Sequence, residues 1–304
     1  GAACDDGSCT YGPCVGTINV YNSLQSGTTY LGYGWELWLE NNGYGNGIPY
    51  ADGLALKSAM CTETVIEILS AHQYEIKGFQ GVEGFVALTD FTFSGGELEG
   101  GDGPYDFSSN INLVNLTINS NSGTGANPLY WSGLDISGCT LLEMLSMYKA
   151  GYDGTLDVSN HPALNTIYTG YNNKLDGITG LSSLSNLVTI DLSRTNVQNP
   201  DLSSACGLLN FTAFHSAATG SNLGNVTLCP TLDLTQLNSF STSRHPAIGN
   251  TQCVVKVGAG DVPGTSGGTG AGGLQTRVEY MQANYTTGST NQLTKISTGT
   301  SFAI

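Results

Sequence analysis

Apolar residues recur in a fixed phrase through the middle of the chain. Leu142-x-x-Leu145-x-Met147 is followed by Leu164-x-x-Ile167-x-Thr169, Leu187-x-x-Ile190-x-Leu192 and Leu209-x-x-Thr212-x-Phe214, with first positions 22, 23 and 22 residues apart. A second phrase keeps step: Leu134-Asp-Ile-Ser, Leu156-Asp-Val-Ser, and the looser Pro200-Asp-Leu-Ser and Leu232-Asp-Leu-Thr. Alternation around a single residue is the two-residue period of a strand. Its return at a fixed interval marks stacked supersecondary units, none of which can bury its apolar face alone. Leu88-x-x-Phe91-x-Phe93, Leu113-x-x-Leu116-x-Ile118 and Leu237-x-x-Phe240-x-Thr242 extend the series with irregular spacing. The pattern predicts a parallel sheet with one strand per coil over about residues 88–242. The period is too short for a long helix in each return segment, so loops and short turns are expected there.

The segment Leu156-Asp-Val-Ser-Asn-His-Pro-Ala-Leu164, with Ile167 and Asn172, resembles a bacterial leucine-rich repeat. In that pattern a short strand is followed by an asparagine and then by a return segment reading leucine-aspartate-valine-serine. Asn121 and Asn172 hold the asparagine position, whereas Ala150, Thr195 and Ala217 depart from it. The match is good over about residues 130–215 and looser over 85–245. Membership of the family implies a curved parallel-sheet solenoid that binds through its concave face, and implies no activity. Residues 1–16, with Cys4-Asp-Asp-Gly-Ser-Cys9-Thr-Tyr-Gly-Pro-Cys14, are similar to the aspartate- and cysteine-rich punctuation between modules of large surface proteins of marine bacteria and their phages.

The expected fold class is mainly β: a leucine-rich-repeat solenoid with a parallel sheet, an N-terminal β/aromatic cap and a C-terminal β tail. The expected divisions are a Cys/Asp-rich linker or module end at 1–16, a cap at 17–84, the solenoid at 85–248, and a Gly-rich strand segment with tail at 249–304. Tyr30 to Leu39 reads as strand-like, and Trp35 and Trp38, three residues apart, do not share a face of a strand. They either cover the open first coil or stack on sugar rings. Residues 54–76 are either a short helix or an irregular first coil. Residues 95–104 and about 216–228 should project as rim loops, 253–257 should form a strand, and 264–273 a flexible, Gly-rich tip.

Charge narrows the choice of partners. There are 24 acids against 9 bases, a net charge of −15. That balance excludes nucleic acid and anionic membrane as partners, since both need a basic footprint. No run of 18 apolar residues occurs, so membrane insertion is not expected. Eight cysteines in an acidic, lysine-poor chain point to an oxidising exterior: secreted, at a cell surface or on a virion. The chain starts at Gly1 without methionine, as a processed or partial chain would. Asn115, Asn210, Asn225 and Asn284 lie in glycosylation triplets, which also arise by chance. Cys139 and Cys206 each stand three residues before a repeat leucine, three coils apart. At about 4.8 Å per coil they are about 14 Å apart, beyond disulfide reach, while Cys206 with Cys229 spans one coil.

Few catalytic patterns survive inspection. Gly268-Thr-Gly270-Ala-Gly-Gly273 and Gly264-Thr-Ser266-Gly-Gly268 match nucleotide-binding and nucleophile-elbow spacings, but both fall inside low-complexity sequence without the required helix. The four histidines stand alone, and His161 falls at a repeat position that belongs to the inner packing ladder. The chain is therefore expected not to be an enzyme, and to need no cofactor. Asp5 and Asp6 admit a second reading as ligands of Ca2+, although two side chains supply too few oxygens alone.

Repeat geometry gives the candidate binding residues. Positions alternating with the inward leucines should face the concave surface, and most are small and hydroxylated. Met144, Tyr148, Tyr168, Asp191, Phe211 and His215 stand out on four consecutive coils. Grouped aromatics suit recognition of a protein or glycan ligand, although tyrosine and threonine also favour strands for packing reasons alone. The leading expectation is a non-enzymatic extracellular or particle-surface protein for adhesion or structural assembly. The alternatives are a self-assembling subunit of a virion or extracellular filament, and a glycan-binding module. The tail after Lys295 carries Ile296, Phe302 and Ile304 without charge, and should dock on its own chain or a neighbour.

Overall fold

A computed structural model describes Cys14 and residues 17–19, 25–26, 29–30, 33–45, 54–69, 76, 78–95, 98, 105–119, 130–213, 225–229, 231–232, 238–241, 254–257, 260–262, 285–287, 292–295 and 301–303. The chain divides into two compact units: Gly1–Met144 with Lys149–Gly151, and Leu145–Tyr148 with Tyr152–Ile304. Each is built from coils of a parallel solenoid.

In the first unit, strands Val65–Ile68, Asp90–Ser94 and Asn115–Asn119 pair in parallel. Their register puts Ile66, Phe91 and Leu116 in one row, and Ile68, Phe93 and Ile118 in the next. All six are buried. The solenoid therefore begins near residue 65, where the reading of 54–76 as a first coil holds, just after a short helix at Lys57–Met60. In the second unit, strands Thr166–Tyr168, Thr189–Asp191, Asn210–Thr212 and Ser239–Ser241 pair in parallel, with Ile167, Ile190, Phe211 and Phe240 in one row. Strand Met144–Ser146 lies where the units divide.

Besides the one strand that each coil gives to these rows, most coils carry a second, short strand on the return segment, where only loops and turns were expected. Tyr105–Asp106 pairs in parallel with Leu134–Asp135, Asp153–Asp157 with Lys174–Thr179, and Asp201–Leu202 with Asn225–Leu228, which continues to Val254–Val257. Leu134-Asp135 and Leu156-Asp157 of the leucine-aspartate phrase lie in these strands, as does Asp201-Leu202 of its looser form. An aspartate in four of these strands caps the turn that follows. Oδ1 of Asp106, Asp135, Asp157 and Asp201 accepts the backbone N–H two residues on, from Ser108, Ser137, Ser159 and Ser203, at 2.9–3.0 Å. The turns between remain short, with 3-10 turns at Val82–Gly84 and Leu181–Ser183. Gly180 sits at φ +86°, and a Cβ there would collide with the Ser159 backbone of the neighbouring coil. Residues 225–228 are thus strand rather than rim loop.

The Tyr30–Leu39 segment is also corrected. Tyr33–Asn41 is an α-helix, on which the i, i+3 spacing of Trp35 and Trp38 brings the two rings together. Their centroids are 5.4 Å apart and nearly parallel, and both are buried, at 1% and 7% exposure. Trp35 meets Phe79 and Phe85, and its Nε1 donates to the Gln80 carbonyl at 2.8 Å. Phe79 in turn packs on Phe91 and Phe93 of the first coils. These tryptophans are core, so they offer no platform for sugars.

Disulfides join Cys14 to Cys61 and Cys206 to Cys229. The partner of Cys14 thus lies outside residues 1–16, 47 positions along the chain. Cys139 is free and buried, its Sγ 3.1 Å from the Phe107 carbonyl. Burial, then the charges of Asp135 and Asp106, push its thiol up to about 12, so it stays protonated. At the far end, Tyr285–Thr287, Gln292–Lys295 and Ser301–Ala303 form an antiparallel sheet, whose last strand lies against Ser239–Ser241 of the same unit. The tail folds back on its own chain.

Candidate functional site

The outward face of the second unit departs from a plain solenoid at one turn. Each strand here is followed by a buried residue, Thr169 or Leu192, and two residues later the backbone passes through left-handed φ: 67° at Tyr171 and 56° at Arg194. Lys149 takes the same conformation in its own coil, φ 57°, and Gly95 in another, φ 82°. Glycine suits this position, because a Cβ in left-handed φ meets the following carbonyl. Tyrosine and arginine occupy it at a backbone cost of about 1–2 kcal/mol per residue.

The turn is held by the residue that follows. Asn172 is buried, and its Oδ1 accepts the Tyr152 N–H at 2.9 Å. Its Nδ2 donates to the carbonyls of Met147 at 2.6 Å and Thr169 at 2.7 Å. In the next coil Thr195 substitutes with one bond, Oγ1 to the Leu192 carbonyl at 2.8 Å. This is the physical reason for the asparagine in the repeat: one side chain satisfies backbone groups of three segments at a turn closed to water.

Above this scaffold, side chains from three coils gather. The Tyr148 and Tyr171 rings are 5.0 Å apart and tilted by 58°. The Arg194 guanidinium lies over the Tyr171 ring, its Cζ 4.4 Å from the centroid. Asp191 Oδ1 accepts the Ser193 N–H at 2.8 Å, and its carboxylate fills the space left by Gly170, where a Cβ would stand 2.9 Å from Oδ2. Tyr168, opposite Asp191 in the strand register, is the open member at 39% exposure. Burial raises the Tyr148 hydroxyl above the usual phenol value; its side-chain hydrogen bond with Tyr171 adds to this, then the charges of Tyr171 and Asp191, while that of Arg194 opposes it. The Tyr148 hydroxyl is therefore held in its protonated form.

Of the residues expected to bind, Tyr148, Tyr168 and Asp191 are brought together here. Met144 belongs to the first unit. His215, Asp5 and Asp6 lie outside the described residues, as do His72, His245, Asn121 and the 264–273 segment. Phe211 is a correction: it is fully buried, at 0% exposure, opposite Ile190. Leu208, not Leu209, is the repeat leucine of that coil, so Asn210 and Thr212 face outward. The same one-residue slip makes Ala205, not Cys206, the counterpart of Cys139, His161 and Leu184. Leu208, Leu142, Leu164 and Leu187 each donate N–H to the carbonyl three residues before them in those respective coils. Tyr171 and Arg194 were not among the expected residues, because simple alternation along the strand stops before the turn. Gly95 at the equivalent position was the available signal.

No protein-family model matches the chain. No curated protein matches it. Among solved structures it is similar to an internalin (inlF) of Listeria monocytogenes, with TM-score 0.42 and 17% identity over 67% of this chain and 57% of that one. It is also similar to the functional domain of InlJ of Listeria monocytogenes, which includes a cysteine ladder, with TM-score 0.35 and 19% identity over 62% of this chain and 46% of that one. The chain thus spans little more than half of the first and less than half of the second. These likenesses concern the fold and say nothing of ligand or activity.

Proposed function

We propose that the chain is a non-enzymatic recognition module of a cell exterior or particle surface, which binds a protein partner through the Tyr148, Tyr168, Tyr171, Asp191 and Arg194 face. The observation that carries this reading is the clustering of three tyrosines and an arginine on consecutive coils. Tyrosine and arginine dominate the energetics of protein interfaces because they bring large contact area and hydrogen bonds with few rotatable bonds to freeze. Two of the three non-glycine residues in left-handed φ among the described residues, Tyr171 and Arg194, belong to this face, which adds weight, since such a backbone cost is often retained where a side chain is needed. Two disulfides support an oxidising location. No helix among the described residues is long and apolar enough to cross a membrane.

The rival readings lose their supports. Trp35 and Trp38 are buried, and the Tyr171 ring face is covered by Arg194, so a sugar-stacking platform is reduced to Tyr168. Docking of the uncharged tail on its own chain removes the main ground for self-assembly into a filament or virion.

A microarray of secreted and cell-surface proteins, read beside a glycan array, tests the proposal. The unsubstituted chain should bind at least one protein that the Tyr168→Ala, Tyr171→Asn double variant no longer binds, the variant keeping its melting temperature within a few degrees. Binding confined to glycans, or protein binding indifferent to the double variant, contradicts it.

A further inference from the structure

The arginine of the face is unusual for this chain. There are 24 acids and 9 bases, yet no carboxylate pairs with Arg194 among the described residues. Asp191, three residues before it, is turned to the Ser193 N–H instead. The guanidinium is held by the Tyr171 ring at 4.4 Å, and its Nε is buried without a hydrogen-bond partner. Arg194 as a whole is half-buried, so part of its side chain reaches the surface. A guanidinium stacked on an aromatic ring is pre-oriented, so little freedom is lost when its two end nitrogens close on a carboxylate.

Building on the protein-binding reading above, we infer that Arg194 is a carboxylate receptor: it accepts, end-on through its terminal nitrogens, an aspartate or glutamate side chain of the protein partner. Charge complementarity at the contact is local, since the chain as a whole is acidic and repels an acidic partner at distance. Recognition should therefore rest on this one contact and on the tyrosines beside it, not on long-range attraction. Tyr171 is a positioning residue: it keeps the guanidinium plane fixed, while the left-handed backbone at both positions aims the two side chains along one row.

The test uses the full chain, labelled with 15N. It has only three arginines, Arg194, Arg244 and Arg277, so the Arg194 Nε–H signal is identified by its loss in Arg194→Lys. Two probes are titrated, acetyl-Ala-Glu-Glu-Ala-amide and its glutamine analogue, with oligogalacturonate as a third. The glutamate peptide should shift the Arg194 signal saturably, and the glutamine peptide should need roughly tenfold more or fail, the factor expected for one charge-assisted pair. Absence of a shift, or equal response to the two peptides, overturns the inference. Saturation by oligogalacturonate below the peptide concentration overturns the assignment to a protein carboxylate. If an array protein still requires Tyr168 while Arg194→Lys binds it unchanged, the receptor role falls and the binding face stands.

Discussion

Ile190→Asp should unfold the second unit at temperatures where the unsubstituted chain stays folded, while Tyr168→Ala should leave the melting temperature nearly unchanged. Ile190 stands between Ile167 and Phe211 in the strand register, and all three are fully buried. An aspartate there finds only apolar side chains. It must either bury a charge or bind a proton, at a cost of several kcal/mol. Domains of this size are stable by only about 5–15 kcal/mol, so one such change consumes a large fraction of the total. Leu145→Asp should act alike, since Leu145 is equally buried. Tyr168 is 39% exposed, and surface changes away from a special contact usually stay within about 0.5 kcal/mol. Thermal scans by circular dichroism decide the matter. Similar shifts for Ile190→Asp and Tyr168→Ala would contradict the assignment of inward and outward faces.

Asn172→Leu is the second large effect. The substitution keeps the volume and removes three hydrogen bonds, leaving the Tyr152 N–H and the carbonyls of Met147 and Thr169 without their partner. A buried polar group left unpaired costs about 1–3 kcal/mol, so the loss should reach roughly 3–5 kcal/mol. Thr195→Val removes one bond at the equivalent turn and should cost about 1 kcal/mol. Urea midpoints for the two variants provide the check. Equal midpoints would mean that Asn172 is not the post on which the turn, and with it the tyrosine face, is hung.

How much of this was readable in the amino-acid sequence depends on the length over which a pattern repeats. The inward positions at Phe91, Leu116, Leu145, Ile167 and Ile190 were readable because strand alternation recurs in phase on coil after coil. The Leu208–Leu209 pair defeats that logic. With Phe211 and Phe214 three residues apart, two registers satisfy the same pattern, and only pairing of Phe211 with Ile190 selects one. The second row of strands escaped because stretches as short as Tyr105–Asp106 and Asp201–Leu202 are too brief to show a period. The helix at Tyr33–Asn41 was hidden by its tryptophans, which favour strands by propensity and here share a helical face instead. At the candidate site Tyr148, Tyr168 and Asp191 were found by alternation. Tyr171 and Arg194 were not, since a left-handed turn re-aims side chains that strand geometry cannot place.

The face also explains a division of labour within each repeat. Small polar residues such as Thr166, Thr189 and Asn210 line the outward row, where Asn210 Nδ2 donates to Thr189 Oγ1 at 3.1 Å. Such residues leave bulk to the turn. The tyrosines and the arginine then stand where the backbone is least regular, on a scaffold made rigid by the buried ladder below.

Hydroxyl-radical footprinting of the chain, alone and bound to a protein found on the array, tests the central claim most directly. In the free chain Tyr168 should oxidise far faster than Phe211. In the complex, protection should fall on Tyr168, Tyr148 and Tyr171 together. Protection elsewhere, with these three unchanged, would contradict the account.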